Sequence, residues 1–233
     1  MRALFTFCTF LLTLSPTLVS AQWDGVGEAG LIIVDGNSQS KTLNTAIKLS
    51  KASKRWEHST ELAATSAESE SEKSAESYTA QWDTKFLLSE RLFLFGDIRY
   101  FDDKFDSFDS IKTGGVGVGY KVLLSEKTQW DISSGIGFRK TELEDTGENQ
   151  SGSTFLSTST FSHQLTETTT LTNDTRLESA ADNTFVQNKL GLNVAINSSL
   201  ALKLGYEIRY NSEPAEDDES QDTITSVNLV YSF

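Results

Sequence analysis

The strongest constraint on the fold of this chain is an alternation of apolar and polar residues that recurs from about residue 23 to the last residue. Neighbouring side chains of a β-strand point to opposite faces, so a period of two predicts strands with one apolar and one polar face. In the clearest stretch, one face carries Leu200, Leu202, Leu204, Tyr206, Ile208 and Tyr210, and the other carries Ala201, Lys203, Gly205, Glu207, Arg209 and Asn211. Because no sustained helical period accompanies this alternation, the sequence predicts an all-β fold.

Twelve segments share the alternation, and the connections between them are of two kinds. The predicted strands lie at about 23–34, 40–51, 54–65, 76–88, 91–102, 111–124, 128–140, 153–164, 167–179, 184–197, 199–211 and 222–233. Short connections (51–55, 89–90, 125–127, 166–167 and 197–199) alternate with acidic ones (65–77, 102–110, 141–152 and 211–222, with 35–40 and 180–183 as shorter members). Short turns at one end and long loops at the other are typical of up-and-down barrels in outer membranes.

The distribution of charge between the two faces favours the same architecture. If the apolar faces point outward, no Lys, Arg, Asp or Glu falls at a mid-strand outward position. Contact with lipid requires this, because a charge on the lipid face is costly at the bilayer midplane. A soluble β-sandwich is the alternative, but it leaves the long strands unexplained. We therefore predict an antiparallel up-and-down transmembrane β-barrel of about 12 strands.

The inward face carries charges of both signs in equal number. Its nine acidic residues are Glu28, Glu57, Glu61, Asp83, Asp97, Asp131, Asp174, Glu178 and Glu207, and its nine basic residues are Lys48, Lys85, Arg99, Lys121, Arg139, Arg176, Lys189, Lys203 and Arg209. Buried charges need partners, so we predict ion-paired networks inside the barrel. The residues expected to form the lumen charge network are Asp97, Arg99, Asp131, Arg139, Arg176, Glu178, Lys203, Glu207 and Arg209. A twelve-strand lumen of this kind is either plugged or crossed by a thin path.

The first 21 residues have the pattern of a secretory signal peptide. Arg2 supplies the positive region, residues 3–14 the apolar region, and residues 19–21 the small-residue cleavage site. A membrane anchor is the alternative, but the apolar run is short and interrupted by polar residues. We predict cleavage after Ala21 and export across the inner membrane, which leaves a barrel domain at 22–233. The single cysteine, Cys8, lies in the removed segment, so no disulfide or cysteine metal site is expected.

The last strand ends the chain on an aromatic residue. Val227, Leu229, Tyr231 and Phe233 alternate with polar or small residues, and Phe233 is the final residue. A last strand ending in Phe resembles the signal by which bacterial outer-membrane barrels are handed to their assembly machinery. These four residues are therefore predicted to form an assembly signal, and the barrel assembly machinery is an expected partner during biogenesis.

Several segments carry a resemblance to a known family. They are GLIIVDGNSQSKTLNTAIKLS at 30–50, RWEHSTEL at 55–62, FLLSERLFLFGDIRYFDDKFDSFD at 86–109, GVGVGYKVL at 115–123, LKLGYEIRYNSEP at 202–214 and the final LVYSF. Together they resemble the salt-induced outer membrane protein family, catalogued as domain of unknown function 481. Asp35 departs from the small hydroxyl residue that relatives usually carry there. The resemblance implies an outer-membrane barrel, and it brings no catalytic residues with it.

The sequence offers little support for an enzyme or for a cofactor. The glycine-rich stretch at 114–119 lacks the Lys-Ser/Thr of a phosphate-binding loop, and its inward glycines make room for large lumen side chains. The two histidines, His58 and His163, have no convincing serine or acidic partner in the sequence. We therefore predict no catalytic residues, no cofactor and no metal site, and an outer-membrane hydrolase is the third hypothesis. A net charge of −13 also makes nucleic acid an unsuitable partner.

Two functions fit these features, and they belong to different classes. The six acidic connections carry a summed charge of about −18, which would collect divalent cations diffusely at the cell surface. The first hypothesis is an integral outer-membrane barrel with acidic extracellular loops and a structural or envelope role linked to salt or cation conditions. The second is a narrow channel for small polar or ionic solutes. For both hypotheses, the expected partners are outer-membrane lipid and lipopolysaccharide.

Overall fold

A computed structural model describes residues 23–34, 40–69, 72–104, 108–143, 149–181, 183–214 and 220–233. The predicted signal peptide and its cleavage site lie outside these residues. Every regular element in the described part of the chain is a β-strand. No helix within it is long and apolar enough to cross a membrane.

The described residues form twelve strands, which follow one another as successive hairpins. Their bounds are β1 Asp24–Val34, β2 Ser40–Ala52, β3 Trp56–Ser69, β4 Glu72–Leu87, β5 Leu92–Asp103, β6 Phe108–Leu124, β7 Thr128–Leu143, β8 Asn149–Gln164, β9 Thr169–Ala180, β10 Thr184–Ala195, β11 Leu200–Asn211 and β12 Gln221–Ser232. Each strand pairs antiparallel with its chain neighbours, and β1 pairs with β12 to close the barrel. The predicted all-β, twelve-strand up-and-down barrel is confirmed.

The two faces of the barrel differ as the alternation predicts. On the outside, Ile98, Val116 and Ile136 are 68%, 63% and 72% exposed. On the inside, Asp97 and Arg99, which flank Ile98 in β5, are only 5% and 2% exposed. A soluble protein has the opposite arrangement, so the outer surface suits lipid and the lumen holds the charges. The short turns, the start of β1 and the end of β12 lie at the same end of the barrel, the end that faces the periplasm in outer-membrane barrels generally.

The strands extend further toward the extracellular end than the sequence predicts. The alternation predicts a loop at 65–77, but β3 continues to Ser69 and β4 begins at Glu72. Likewise β6 begins at Phe108, β7 continues to Leu143 and β8 begins at Asn149, so the loops predicted at 102–110 and 141–152 are partly strand. Beyond the membrane both faces of a strand meet water, so pairing continues there without an apolar face and without the alternation that marks a strand in the sequence.

The closing seam is the shortest ladder of the barrel. The paired residues are Val26–Ala29 of β1 and Leu229–Ser232 of β12, whereas β1 pairs with β2 from Asp24 to Val34. Phe233 extends the seam by two backbone hydrogen bonds with Gly25, of 2.8 and 2.9 Å. The Phe233 ring lies so close to Gly25 that a Cβ there would stand 2.3 Å from it. A larger residue at position 25 would displace the ring from this position, and the two backbone hydrogen bonds show that the last residue of the chain helps to close the barrel.

Candidate functional site

A chain of hydrogen-bonded charges begins on β5 and crosses to β9. Arg176 donates from Nη2 to Oδ2 of Asp97 at 2.7 Å and from Nε to Oε1 of Glu178 at 2.5 Å. Asp97 and Arg176 belong to strands on different sides of the lumen, and both side chains point inward. The two ion pairs therefore tie β5 to β9 through the interior of the barrel.

Glu178 is the point where this chain of charges converges. It accepts a hydrogen bond from Thr113 of β6 at 2.9 Å and one from Arg99 at 3.4 Å, in addition to that from Arg176. The side chains of Arg99 and Glu178 are 1% and 0% exposed. Burial this complete is costly for a lone charge, so these groups depend on one another for compensation.

The chain of contacts continues from Arg99 to β11 and returns to β5. Arg99 donates to Gln187 at 3.3 Å, and Gln187 donates to Glu207 at 2.7 Å. Arg209 then donates to Glu207 at 2.6 Å and to Asp103 at 2.8 Å. Because β5 and β11 lie on opposite sides of the barrel, the network spans the full width of the lumen.

Two aromatic rings fill the space between the arginines. The guanidinium carbons of Arg99 and Arg209 lie 4.7 and 5.0 Å from the centroid of the Phe101 ring. Phe185 stands 6.1 Å from Phe101 between centroids and also contacts Arg99. Cations over aromatic faces gain electrostatic attraction and lose contact with water. We call this group the lumen plug; it consists of Asp97, Arg99, Phe101, Asp103, Thr113, Arg176, Glu178, Phe185, Gln187, Glu207 and Arg209.

The lumen plug occupies the extracellular half of the barrel. Its members lie toward the end of β5, β9 and β11 and near the start of β10, all of which are at the end opposite the short turns. The glycines of β6 and β7 create space beside it, since a Cβ at Gly115 would lie 2.1 Å from Cδ1 of Leu156. Arg139, on the inward face of β7, is also buried, at 4% exposure.

Nearer the periplasm, lysine–carboxylate pairs bridge other strands. Lys85 contacts Asp131 at 2.6 Å and Lys203 contacts Glu28 at 2.9 Å. The pairs Lys121–Glu57 and Lys189–Glu61 have separations of 2.7 and 3.4 Å. We call these four lysine–carboxylate pairs the lower tier. Asp131 and Lys203, which are predicted to join the lumen charge network, belong to the lower tier, and the structure does not bring them to the lumen plug. The alternation places their partners Lys85 and Glu28 on the inward face but does not predict these pairs.

Two cavities lie beside these lower pairs. Their volumes are about 240 and 230 Å³, and both are lined by Lys48, Glu61, Asp174 and Lys189. A site of this size and polarity holds several waters. Arg176 and Gln187 line the first cavity from the side of the lumen plug. The described lumen thus consists of a lower part with polar cavities and a densely packed upper part.

Neither histidine lies in the lumen. His58 faces outward on β3, where its ring contacts Thr84 at 2.9 Å and stacks on Trp56. His163 contacts Thr128 at 2.7 Å near the periplasmic end of β8. Within the described ranges, no group of three or more His, Cys, Asp or Glu residues is arranged to hold a metal ion.

The four C-terminal residues predicted as an assembly signal all face outward. Val227, Leu229, Tyr231 and Phe233 are 40%, 50%, 51% and 57% exposed. Tyr231 and Phe233 stack with their centroids 5.9 Å apart. They form an apolar stripe along the lipid side of β12, immediately beside the seam.

A closed barrel with an apolar exterior, a charged interior and short turns at one end is an integral protein of the outer membrane. The chain belongs to the family described as "Protein of unknown function, DUF481", whose model matches residues 27–233. One relative is "Uncharacterized protein YdiY" of Escherichia coli (strain K12). It is 26% identical over 219 residues, which are 94% of this chain and 86% of the relative.

Solved structures share the architecture at low sequence identity. The outer membrane channel COG4313 from Pseudomonas putida F1 superposes with a TM-score of 0.55 at 10% identity, covering 91% of this chain and 95% of the channel. The NanC porin gives a TM-score of 0.50 at 10% identity, covering 90% of this chain and 97% of the porin. These similarities establish the outer-membrane barrel fold.

Proposed function

We propose that this protein is a structural barrel of the outer membrane whose lumen is closed at rest and whose role is linked to salt or cation conditions at the cell surface. The observation that carries the proposal is the lumen plug. Side chains from β5, β6, β9, β10 and β11 meet across the lumen, and Arg99 and Glu178 at its centre are almost completely buried.

The energetics of the lumen plug favour a closed resting state. Removing one partner of a buried ion pair typically costs about 3–5 kcal/mol, because the other charge remains buried without compensation. Opening a path past Arg99 would separate it from Glu178 and Gln187 and from the rings of Phe101 and Phe185. These contacts must be lost together, so a wide aqueous pore is not the expected resting state.

The acidic connections supply the proposed link to salt. These connections carry a summed charge of about −18, and they join the strands at the end of the barrel opposite the short turns. Such a surface attracts cations from the medium, and the attraction weakens as ionic strength rises because exposed charges are screened. Divalent cations held there would join the protein to anionic groups of the outer leaflet. No EF-hand spacing occurs in the sequence, so this binding is diffuse.

Outer-membrane integrity across salt conditions tests this function. A deletion strain should take up a hydrophobic dye faster than the parent, and the difference should be largest at low NaCl, where the acidic loops are least screened; the wild-type chain should restore the barrier. A variant with Glu216→Gln, Asp217→Asn and Asp218→Asn should restore it only partly. The matched control carries Glu90→Gln, Glu126→Gln and Glu167→Gln, three exposed acids of the periplasmic turns, and should restore it fully. Equal dye uptake by parent and deletion strains at every salt concentration would contradict the proposal.

The second candidate is a narrow channel for small polar or ionic solutes. The observation that favours it is the pair of cavities below the lumen plug, whose polar lining already provides open space through part of the barrel. The plug consists of side chains, which rearrange more easily than a chain segment. A porin and an outer-membrane channel share the fold. Conductance distinguishes the two candidates, because a closed lumen passes far less current than an open one.

An outer-membrane hydrolase remains the weakest hypothesis. His58 and His163 lie on the outer surface near the periplasmic end, and their hydrogen-bond partners are the threonines Thr84 and Thr128.

We also propose that Val227, Leu229, Tyr231 and Phe233 form the assembly signal read by the barrel assembly machinery. Their outward stripe on the last strand supports this proposal, since it is accessible before the seam closes.

A further inference from the structure

Two lysines on the outside of the barrel are placed directly opposite each other. Lys112 of β6 and Lys140 of β7 are register partners, and both side chains are exposed on the outward face. Tyr100 of β5 is the partner of Lys112 on its other side, and the Lys112 amine lies 5.7 Å from the centroid of its ring. Like charges opposite one another in an antiparallel pair are destabilising, so the arrangement needs a compensating group.

Other outward lysines at this end of the barrel face carboxylates. Lys104 contacts Asp102 at 2.9 Å, Lys73 is hydrogen-bonded to Glu76, and Lys41 is the register partner of Glu68. Neither Lys112 nor Lys140 forms an ion pair with any carboxylate in the described ranges. Among the residues that the structure describes, Asp102 and Glu142 share this outward face, but neither they nor any other carboxylate pairs directly with the two amines.

The depth of the pair identifies its surroundings. Immediately toward the periplasm, the outward residues of the same strands are Val116, Ile136 and Phe138, which are 63%, 72% and 56% exposed and suit acyl chains. The amines stand just beyond this apolar band, toward the extracellular end, at the level of lipid headgroups. On β8, the outward neighbours Ser151 and Ser153 are small and exposed, which leaves room beside Lys140 for a bulky headgroup.

We propose that Lys112 and Lys140 form a binding site for the phosphate groups of an outer-leaflet glycolipid, the lipid A part of lipopolysaccharide. Lysine binds phosphate as a point charge, and two adjacent amines match a ligand with more than one negative charge. The phosphate supplies a directly bound counter-ion for both amines, and the acyl chains of the same molecule cover the apolar residues below. The site is independent of whether the lumen conducts.

Native mass spectrometry of the full barrel in detergent, titrated with diphosphoryl lipid A, tests this site. Lys112→Gln with Lys140→Gln should weaken binding about tenfold or more, because each lysine near an anionic lipid surface contributes attraction. The matched control is Lys41→Gln with Lys73→Gln, two lysines at the same end that face carboxylates, and it should leave binding unchanged. Heat-modifiable migration in gels verifies that every variant is folded.

Two further probes separate a phosphate-dependent lipid site from acyl-chain binding and from a simple anion site. Dephosphorylated lipid A should bind the wild-type barrel as weakly as diphosphoryl lipid A binds the double variant. Equal binding of the two lipids to the wild type would overturn the proposal, because acyl chains alone would then account for it. Inorganic phosphate at the same concentrations should not displace the lipid. Displacement by free phosphate would show a simple anion site and overturn the assignment to lipid, as would equal loss in the control variant.

Discussion

Glu178 shows how one carboxylate organises the interior of this barrel. It accepts hydrogen bonds from Arg176, Arg99 and Thr113, which come from three different strands. Each of the two arginines is in turn held by another group, Arg176 by Asp97 and Arg99 by Gln187. Substituting Glu178 therefore disturbs the charge balance of the whole lumen plug.

We predict that Glu178→Gln destabilises the folded barrel by about 3–5 kcal/mol, because two buried guanidiniums then share fewer carboxylates. Urea unfolding in lipid vesicles, followed by tryptophan fluorescence, measures the free energy of unfolding. Glu57→Gln is the control, since its carboxylate is paired with Lys121 but is 30% exposed, so the charge left behind is only partly buried and the loss of stability should be smaller. An equal loss in the free energy of unfolding for the two variants would show that burial in the lumen plug does not increase the contribution of an ion pair to stability.

The sequence predicts which side chains face the lumen but not which of them pair. Inward placement follows from the period of two, a local property that each strand reveals by itself. Pairing depends on the register between strands and on the height of each side chain in the barrel. A register shift of one residue would change every pair. For this reason the alternation groups Asp131 and Lys203 with the arginines, although they pair with Lys85 and Glu28 in the lower tier. The predicted network omits the uncharged plug residues Phe101, Thr113, Phe185 and Gln187, because an inward uncharged residue carries no distinct signal. It also omits Asp103, which the sequence assigns to the acidic connection at 102–110 but which pairs with Arg209 inside the barrel.

At the scale of elements, β12 depends on the last residue of the chain. Residue pairs of the seam run only from Val26 to Ala29 on β1, so the two hydrogen bonds between Gly25 and Phe233 are a substantial part of it. The Phe233 ring also covers Gly25 on the lipid side. A role in closing the seam and a role in recognition by the assembly machinery therefore fall on the same residue.

We predict that deleting Phe233 lowers the amount of folded protein in the outer membrane without impairing export. Cell fractionation and heat-modifiable migration measure this, and Phe233→Tyr is the conservative control. Gly25→Val tests the packing of the ring by itself, because it displaces the ring but leaves the C-terminal sequence and the two backbone hydrogen bonds available. A normal level of folded protein after deletion of Phe233 would contradict both roles. If Gly25→Val assembles normally, the deletion acts through recognition or through the backbone hydrogen bonds and not through packing of the ring on Gly25.

The sequence does not predict where the strands end on the extracellular side. β3 and β4 extend past the alternating segments into the Ser/Glu-rich run at 65–77. Within the membrane, lipid on one side and the lumen on the other impose opposite chemistry on the two faces. Beyond it, hydrogen bonding between strands continues with polar residues on both faces, and a loop and a paired strand have the same composition there.

At the scale of the whole molecule, the closed barrel follows from features that a single sequence can reveal. An even number of alternating segments, turns of two kinds and the absence of charge from the mid-strand positions of one face together specify a transmembrane barrel. Whether the lumen is open does not follow from them, since it depends on side chains from β5, β6, β9, β10 and β11 meeting at one height. The structure places those side chains together and leaves cavities of about 240 and 230 Å³ below them.

The conductance of single barrels in a planar lipid bilayer tests the closed lumen most directly. The wild-type protein should conduct far less than a general porin and show no strong preference for anions or cations. The double variant Arg99→Ala with Glu178→Ala removes the centre of the lumen plug without leaving a net charge, and it should conduct measurably more. Glu28→Ala with Lys203→Ala removes a lower pair outside the plug and should stay closed. A large, steady and strongly selective conductance of the wild type would contradict the closed lumen and establish the channel instead.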